Sequence, residues 1–392
     1  MRRKIRVFAA ICAGLMFCPL RAWAVQGTGH VEASLRQVEQ YNYSIHILAM
    51  LLVGFGFLMV FVKKYGYSAT TGTYLVVGAG IPLYILLRST GLISSVAMAP
   101  NSIHVLLLAE FACASALIAM GAVLGRMRLY QYVALVALLV PAYMINEWLV
   151  LDGGLGVTRG FVDSAGSIVI HAFGAYFGLG VSIALMRTEH VNHDGQPIES
   201  DATSDRLSMI GSMVLWIFWP SFCSAVVPAE QMPQTVINTI LALCGATLAT
   251  YVLSALLRHG QTSFSDIANA ALAGGVAIGA TCNVVSAHGA FAIGLTAGAL
   301  CVLGYVYVQP WLLEKIKLTD TCGVHNLHGM PGLMGGLIAI LVIPGIAKAQ
   351  LTGIATTVVL SLVAGLFSGY LIRIIGEKKI SYEDQEEFAG AD

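Results

Sequence analysis

Residues 320–332 read DTCGVHNLHGMPG, and residues 163–179 read DSAGSIVIHAFGAYFGL. Both contain D-x-x-G-x-x-x-x-H: Asp163, Gly166 and His171 in one, Asp320, Gly323 and His328 in the other. Each has a further glycine seven residues past its histidine, Gly178 and Gly335. Both stretches open long apolar segments. Imidazoles carried into such segments at matching positions decide how the rest of the chain is read.

The surrounding sequence is that of a membrane protein. Of 392 residues, 57% are hydrophobic and only 11% charged, against about 25% charged in soluble domains. The formal net charge is +0, so nothing in the balance points to nucleic acid. Residues 1–24 have a basic start, an apolar middle and Ala22 and Ala24 at the end, the layout of a cleavable signal peptide. Eleven apolar segments follow, near 43–62, 71–90, 103–125, 129–150, 166–186, 207–227, 234–257, 265–285, 287–309, 323–343 and 351–375. Each is close to the ~20 residues that span the hydrocarbon, where open backbone forces helices. The expected fold is an all-α integral membrane domain over 25–375, with residues 376–392 as a flexible polar tail.

Lysine and arginine set the orientation. With the mature N-terminus outside and eleven crossings, twelve of the sixteen basic residues after position 24 fall on the cytoplasmic side, where the tail also lies. The repeated motifs open segments five and ten. Segments 1–5 and 6–10 therefore read as two halves of a duplication. Because five is odd, the halves are inverted, a common transporter plan. His171 enters from the outer face and His328 from the inner. Each lies eight residues past its aspartate, about 12 Å along a helix. Half the hydrocarbon is about 15 Å, so the two rings can meet at the midplane.

Ionisable groups at that depth are costly and line pathways more often than they pack. Burial favours the neutral ring, which has one donor and one acceptor nitrogen. A pair of them suits a narrow path for a small polar solute or a proton relay. Asp163 and Asp320 precede helices and fit N-terminal caps. His325 either lines the inner vestibule or only packs. The other seven histidines, including His46, have no comparable pattern. The eight cysteines are scattered without CxxC and read as small core residues. Neither CxxCH nor HExxH is present, so a haem or metal enzyme using His171 and His328 as ligands has no motif behind it. A sensor reading would rest on the short tail alone. No enzyme activity, cofactor or metal is expected.

At DTCGVHNLHGMPG and GSIVIHAFGAYFGL the chain resembles the Rh (Rhesus glycoprotein) branch of the Amt/Mep/Rh ammonium transporters. LWIFWPSF (215–222), NAALAGGVA (269–277) and GAVLGR (121–126) are similar to that branch as well. The leader and short loops suggest a bacterial member in the inner, plasma membrane. The resemblance implies a homotrimer with one pore per subunit, carrying ammonia or ammonium past His171 and His328. It also implies that Phe111 and Phe222 stack as an outer gate; both fit a core equally well by spacing. Glu147 resembles an acidic residue of the outer vestibule, and Asp163 a structural carboxylate near the outer mouth. Trp148 lies near, but does not clearly match, the outer tryptophan that holds a cation in Amt-type proteins. The resemblance therefore implies NH3 conduction over NH4+ capture. Conduction of CO2, alone or with ammonia, is the alternative that an apolar pore leaves open.

Overall fold

The computed structural model describes residues 28–94, 96–185 and 200–391; the expected signal peptide lies outside them. The chain up to Asn42 forms one unit and Tyr43–Asp392 a second; every side-chain contact described below lies in the second.

Among the described residues the chain is helical, without a β-strand. Nine helices among the described residues are long and apolar enough to cross a membrane. In chain order they are α1 (Glu32–Leu58), α2 (Lys63–Thr90), α3 (Ile103–Ala122), α4 (Leu129–Val150), α5 (Ser167–Ala184), α6 (Ala202–Ser224), α7 (Ala229–Leu257), α9 (Ala287–Ile316) and α11 (Ala347–Ile375). Two shorter ones complete the expected eleven. These are α8 (Phe264–Ile278) and α10, built of a widened turn His325–Gly329 and a helix Met330–Val342. The fold is the expected inverted pair of five-helix repeats, α1–α5 and α6–α10, with α11 added.

The eighth segment departs from its expected course over 265–285. It forms two short helices, Phe264–Ala270 and Ala273–Ile278, and then leaves helical geometry. The reason lies in what its backbone meets. Gly279 carbonyl accepts from Ala165 N–H at 2.7 Å, and Ala280 N–H donates to Ser167 Oγ at 2.7 Å. Backbone that leaves a helix at membrane depth must find partners in protein, and here the Asp163 loop and the start of α5 supply them. Small residues let the layers close. A Cβ at Gly294 would strike the Ala242 carbonyl across the α7–α9 crossing, and one at Gly365 the Phe177 carbonyl across α5–α11. Close backbone approach of this kind lets helices pack without a hydrophobic drive between them.

The tail is not free, contrary to expectation. Tyr382 is fully buried, and its N–H donates to the Gly125 carbonyl at 2.7 Å. Asp384 accepts from the N–H groups of Tyr67 (2.7 Å) and Ser68 (2.9 Å). It thus caps the first turn of α2, whose leading N–H groups have no intrahelical partner. Glu387 accepts from Leu129 N–H at 3.0 Å, at the start of α4. Lys64 pairs with Glu383 at 3.2 Å and Lys378 with Glu386 at 2.6 Å. Within the acidic run EDQEE (383–387), Asp384 and Glu387 cap helix starts while Glu383 and Glu386 pair with lysines.

Burial pushes the Asp384 carboxyl up to about 6, against the pull of its backbone donors. The docked tail therefore holds this proton more tightly than a free aspartate, whose pKa is about 3.9. By linkage, this contribution to docking is full below about 4 and is lost as pH rises through about 6. Limited proteolysis of the tail should be slower at pH 5 than at pH 7.5. Asp384→Asn should remove most of that difference.

Candidate functional site

The two repeated motifs build the same local structure. In each a glycine adopts the left-handed region, Gly166 at φ 82° and Gly323 at φ 69°, which a side chain would resist. The turn folds the aspartate back over the new helix. Asp163 accepts from Ile168 N–H (2.9 Å) and Val169 N–H (2.8 Å). Asp320 accepts from Val324 N–H (2.9 Å) and His325 N–H (2.8 Å). Both helices then open with a widened turn, Ser167–Ala172 and His325–Gly329. His171 N–H reaches back to the Gly166 carbonyl at 3.0 Å, five residues earlier. Turns of this kind recur at functional sites, and here each contains the histidine.

The histidines meet. Nδ1 of His171 lies 3.2 Å from Nδ1 of His328. The rings are nearly parallel, with centroids 5.2 Å apart and planes at 11°. They are only 3% and 4% exposed. Trp219 stacks on His171 at 5.6 Å, and Phe55 on His328 at 6.2 Å. Phe222 lies 5.9 Å from His171 and meets Phe111 at 4.8 Å, with planes at 61°. The aromatic file thus runs Phe111, Phe222, His171, His328, Phe55. Beyond His328 a cavity of about 270 Å³ continues past Leu117, Ile118 and Leu327 to Asp205, Ser200 and Asn269.

Two amides fix the loops that carry the aspartates. Gln350 brackets Val162, accepting from its N–H at 3.0 Å and donating to its carbonyl at 2.9 Å. Gln309 donates to the Asp320 carbonyl at 2.8 Å and accepts from Asn326 at 2.9 Å. One lies on the outer motif and the other on the inner.

Three other residues near the motifs or the outer loop have partners of their own. Glu147 is buried, 5% exposed, and accepts from Tyr84 O–H at 2.7 Å. The bond ties α4 to α2. The more exposed carboxylate in that region is Asp152, 3.8 Å from Arg88. Trp148 packs against the backbone of Gly154. His325 sits edge-on to Tyr176 at 5.7 Å and is not part of the cavity wall.

The Ammonium Transporter Family profile matches residues 7–392. The chain belongs to the ammonium transporter family. Within it the chain falls in the Rh branch. It is 39% identical over 333 residues to ammonium transporter Rh type B-B of Xenopus laevis, covering 82% of this chain and 70% of that protein. It is 37% identical over 343 residues to Rh type A of Mus musculus, covering 84% and 75%. Among solved structures, that of Nitrosomonas europaea Rh50, described there in terms of conduction by Rhesus-family channels, is similar. It is 64% identical, with a TM-score of 0.88 over 91% of this chain and 93% of that one.

Sequence reasoning about this Rh-type chain missed several of the residues at the file. Trp219 lies in LWIFWPSF, but an indole in an apolar helix carries no sign that it faces a histidine. Phe55, Gln309 and Gln350 had no signal in spacing at all. The capping bonds lead to a stability test. Asp163→Ala strands two buried N–H groups, and each such loss costs about 1–3 kcal/mol. The detergent-solubilised variant should melt several degrees below wild type, and Asp320→Ala should do the same.

Proposed function

We propose that the chain forms an Rh-type channel that conducts neutral ammonia, one pore per subunit of a homotrimer in the plasma membrane. The N-terminus lies outside and the docked tail in the cytoplasm. Ammonium would give its proton to water at the outer mouth, before the Phe111–Phe222 gate. The neutral molecule would then pass His171 and His328 and leave through the cavity that opens at Asp205. Asp163 and Asp320 hold the two histidine helices; Glu147 and His325 pack. No bond of the solute other than the N–H of ammonium is made or broken, so the protein is a conduit and not an enzyme.

The observation that carries this reading is the 3.2 Å contact between the two Nδ1 atoms. A hydrogen bond there requires one ring to donate and the other to accept. In a neutral pair the donor ring then keeps a bare Nε2, and the acceptor ring carries its proton on Nε2. The pair offers one acceptor and one donor outward. Ammonia has three N–H donors and one lone pair, and it can use both. Carbon dioxide has no donor for the bare nitrogen, and no feature of the file favours it.

The test is stopped-flow on proteoliposomes that hold a pH dye, given an ammonium pulse and, separately, a CO2 pulse. Wild type should alkalinise faster than empty vesicles after ammonium and show no acceleration with CO2. His328→Glu should abolish the ammonium response through the bulk and desolvation cost of the carboxylate. Unaltered ammonium flux in a folded His328→Glu protein would remove the histidine pair from the path. A response to CO2 alone would change the substrate.

A further inference from the structure

We infer that α1 clamps the phenylalanine gate from behind through Ser44 and His46, and thereby limits the size of solute that passes. The inference rests on the channel reading and adds positioning residues to it.

Phe111 and Phe222 have no polar atoms of their own, so their position is set by the helices that carry them. The residue before each is polar: Glu110 on α3 and Ser221 on α6. Both are held by α1. Ser44 O–H donates to Glu110 Oε1 at 2.6 Å. His46 Nδ1 lies 2.9 Å from Ser221 Oγ. Ser44 and His46 are two residues apart, about 200° around a helix at 3.6 residues per turn. α1 thus presents one to α3 and the other to α6, as a wedge between the gate helices.

The two contacts differ in character. Ser44 and Glu110 are 1% and 0% exposed. The second carboxyl oxygen, Oε2, has no partner among the described residues. Loss of the serine hydroxyl would leave the buried carboxyl without a bond, so α3 is held firmly. His46 adds a stacked contact on Phe218, with centroids 4.9 Å apart and planes at 24°. Between Phe218 and Phe222 lies Pro220, inside α6. Proline removes one helical hydrogen bond and favours a bend there. Ser221 follows at once, so His46 holds α6 next to the residue that lacks a backbone N–H, one residue before the gate ring. Rings 4.8 Å apart at centroids must separate to admit a solute. The larger the solute, the further α3 and α6 must yield against α1.

The test compares ammonia with methylamine, one carbon larger. Proteoliposomes of wild type, His46→Leu, His46→Gln, Ser221→Ala and Ser44→Ala receive pulses of ammonium and of methylammonium. The readout is the ratio of the two permeabilities. His46→Leu and Ser221→Ala should each raise the methylamine-to-ammonia ratio by about threefold or more. The double variant should exceed neither single, as expected of partners in one contact. His46→Gln, which can still bond Ser221, should return the ratio towards wild type. Ser44→Ala should act in the same direction and lower thermal stability as well. Variants that conduct both solutes in the wild-type ratio, or lose both in equal proportion, would overturn the clamp while leaving the channel intact. A wild-type protein without ammonia flux would instead overturn the channel reading itself.

Discussion

Two nitrogen atoms of the same kind, Nδ1 of His171 and Nδ1 of His328, stand 3.2 Å apart inside the membrane domain. Two bare acceptors at that distance would repel, and so would two N–H donors. One proton between them is the arrangement that makes a bond. This requires two rings with opposite tautomers, brought face to face from opposite sides. The inverted repeat meets that need directly. The same D-x-x-G-x-x-x-x-H segment, entered once from each face, delivers two histidines to similar depth. Gly166 and Gly323 turn the chain, and Asp163 and Asp320 cap the new helices. The widened turns then carry the rings to each other.

Holding that geometry is a problem of backbone polarity. Both histidine helices start inside the protein and not at a water surface. Each first turn has N–H groups that hydrocarbon cannot satisfy. The aspartates take two each. Ser167 accepts from Ala280 N–H and donates to the Val276 carbonyl, which lets α8 end early against α5. Gln350 and Gln309 serve the loops themselves. A buried group left without a partner costs about 1–3 kcal/mol. A few such losses would match the whole stability margin of a domain, about 5–15 kcal/mol. The polar residues around the pair are therefore structural by necessity.

What the sequence made legible follows from this division. The duplicated motif could be found because the two copies need the same residues for the same geometric reason. Its glycines and aspartates are visible at fixed spacing, and the helix count follows from hydropathy. The break in α8 was not visible, because LAGGVAIGA is apolar throughout and its partners, Ala165 and Ser167, are distant in sequence. Phe111 and Phe222 were placed through family resemblance alone, since a ring that faces another ring looks in sequence like any core residue. Glu147 shows the converse. A lone carboxylate in an apolar helix shows no partner in sequence, yet Tyr84 supplies one from another helix. The tail misled for a similar reason. EDQEE has the composition of a solvated segment, and only the fold reveals unsatisfied helix starts at Tyr67 and Leu129 beneath it.

The same commitments bear on charge. A cation at the centre of the file would need an opposite charge nearby, because an isolated buried ion costs several kcal/mol even after relaxation. The carboxylates of the two motifs are Asp163 and Asp320, and each already accepts two backbone N–H groups. Turning either towards the histidines would uncap the helix that carries one of them. Trp219 and Phe55 offer aromatic faces to the pair, but they face the imidazole rings themselves. Aromatic contact is worth about 0.5–2 kcal/mol to a cation, well below the cost of bringing one in. A neutral solute meets no such penalty and finds one donor and one acceptor waiting. The proposed passage of ammonia without its proton agrees with how the helices are capped: Asp320 uses both carboxylate oxygens on backbone N–H groups, and Asp163 takes two such groups on Oδ2.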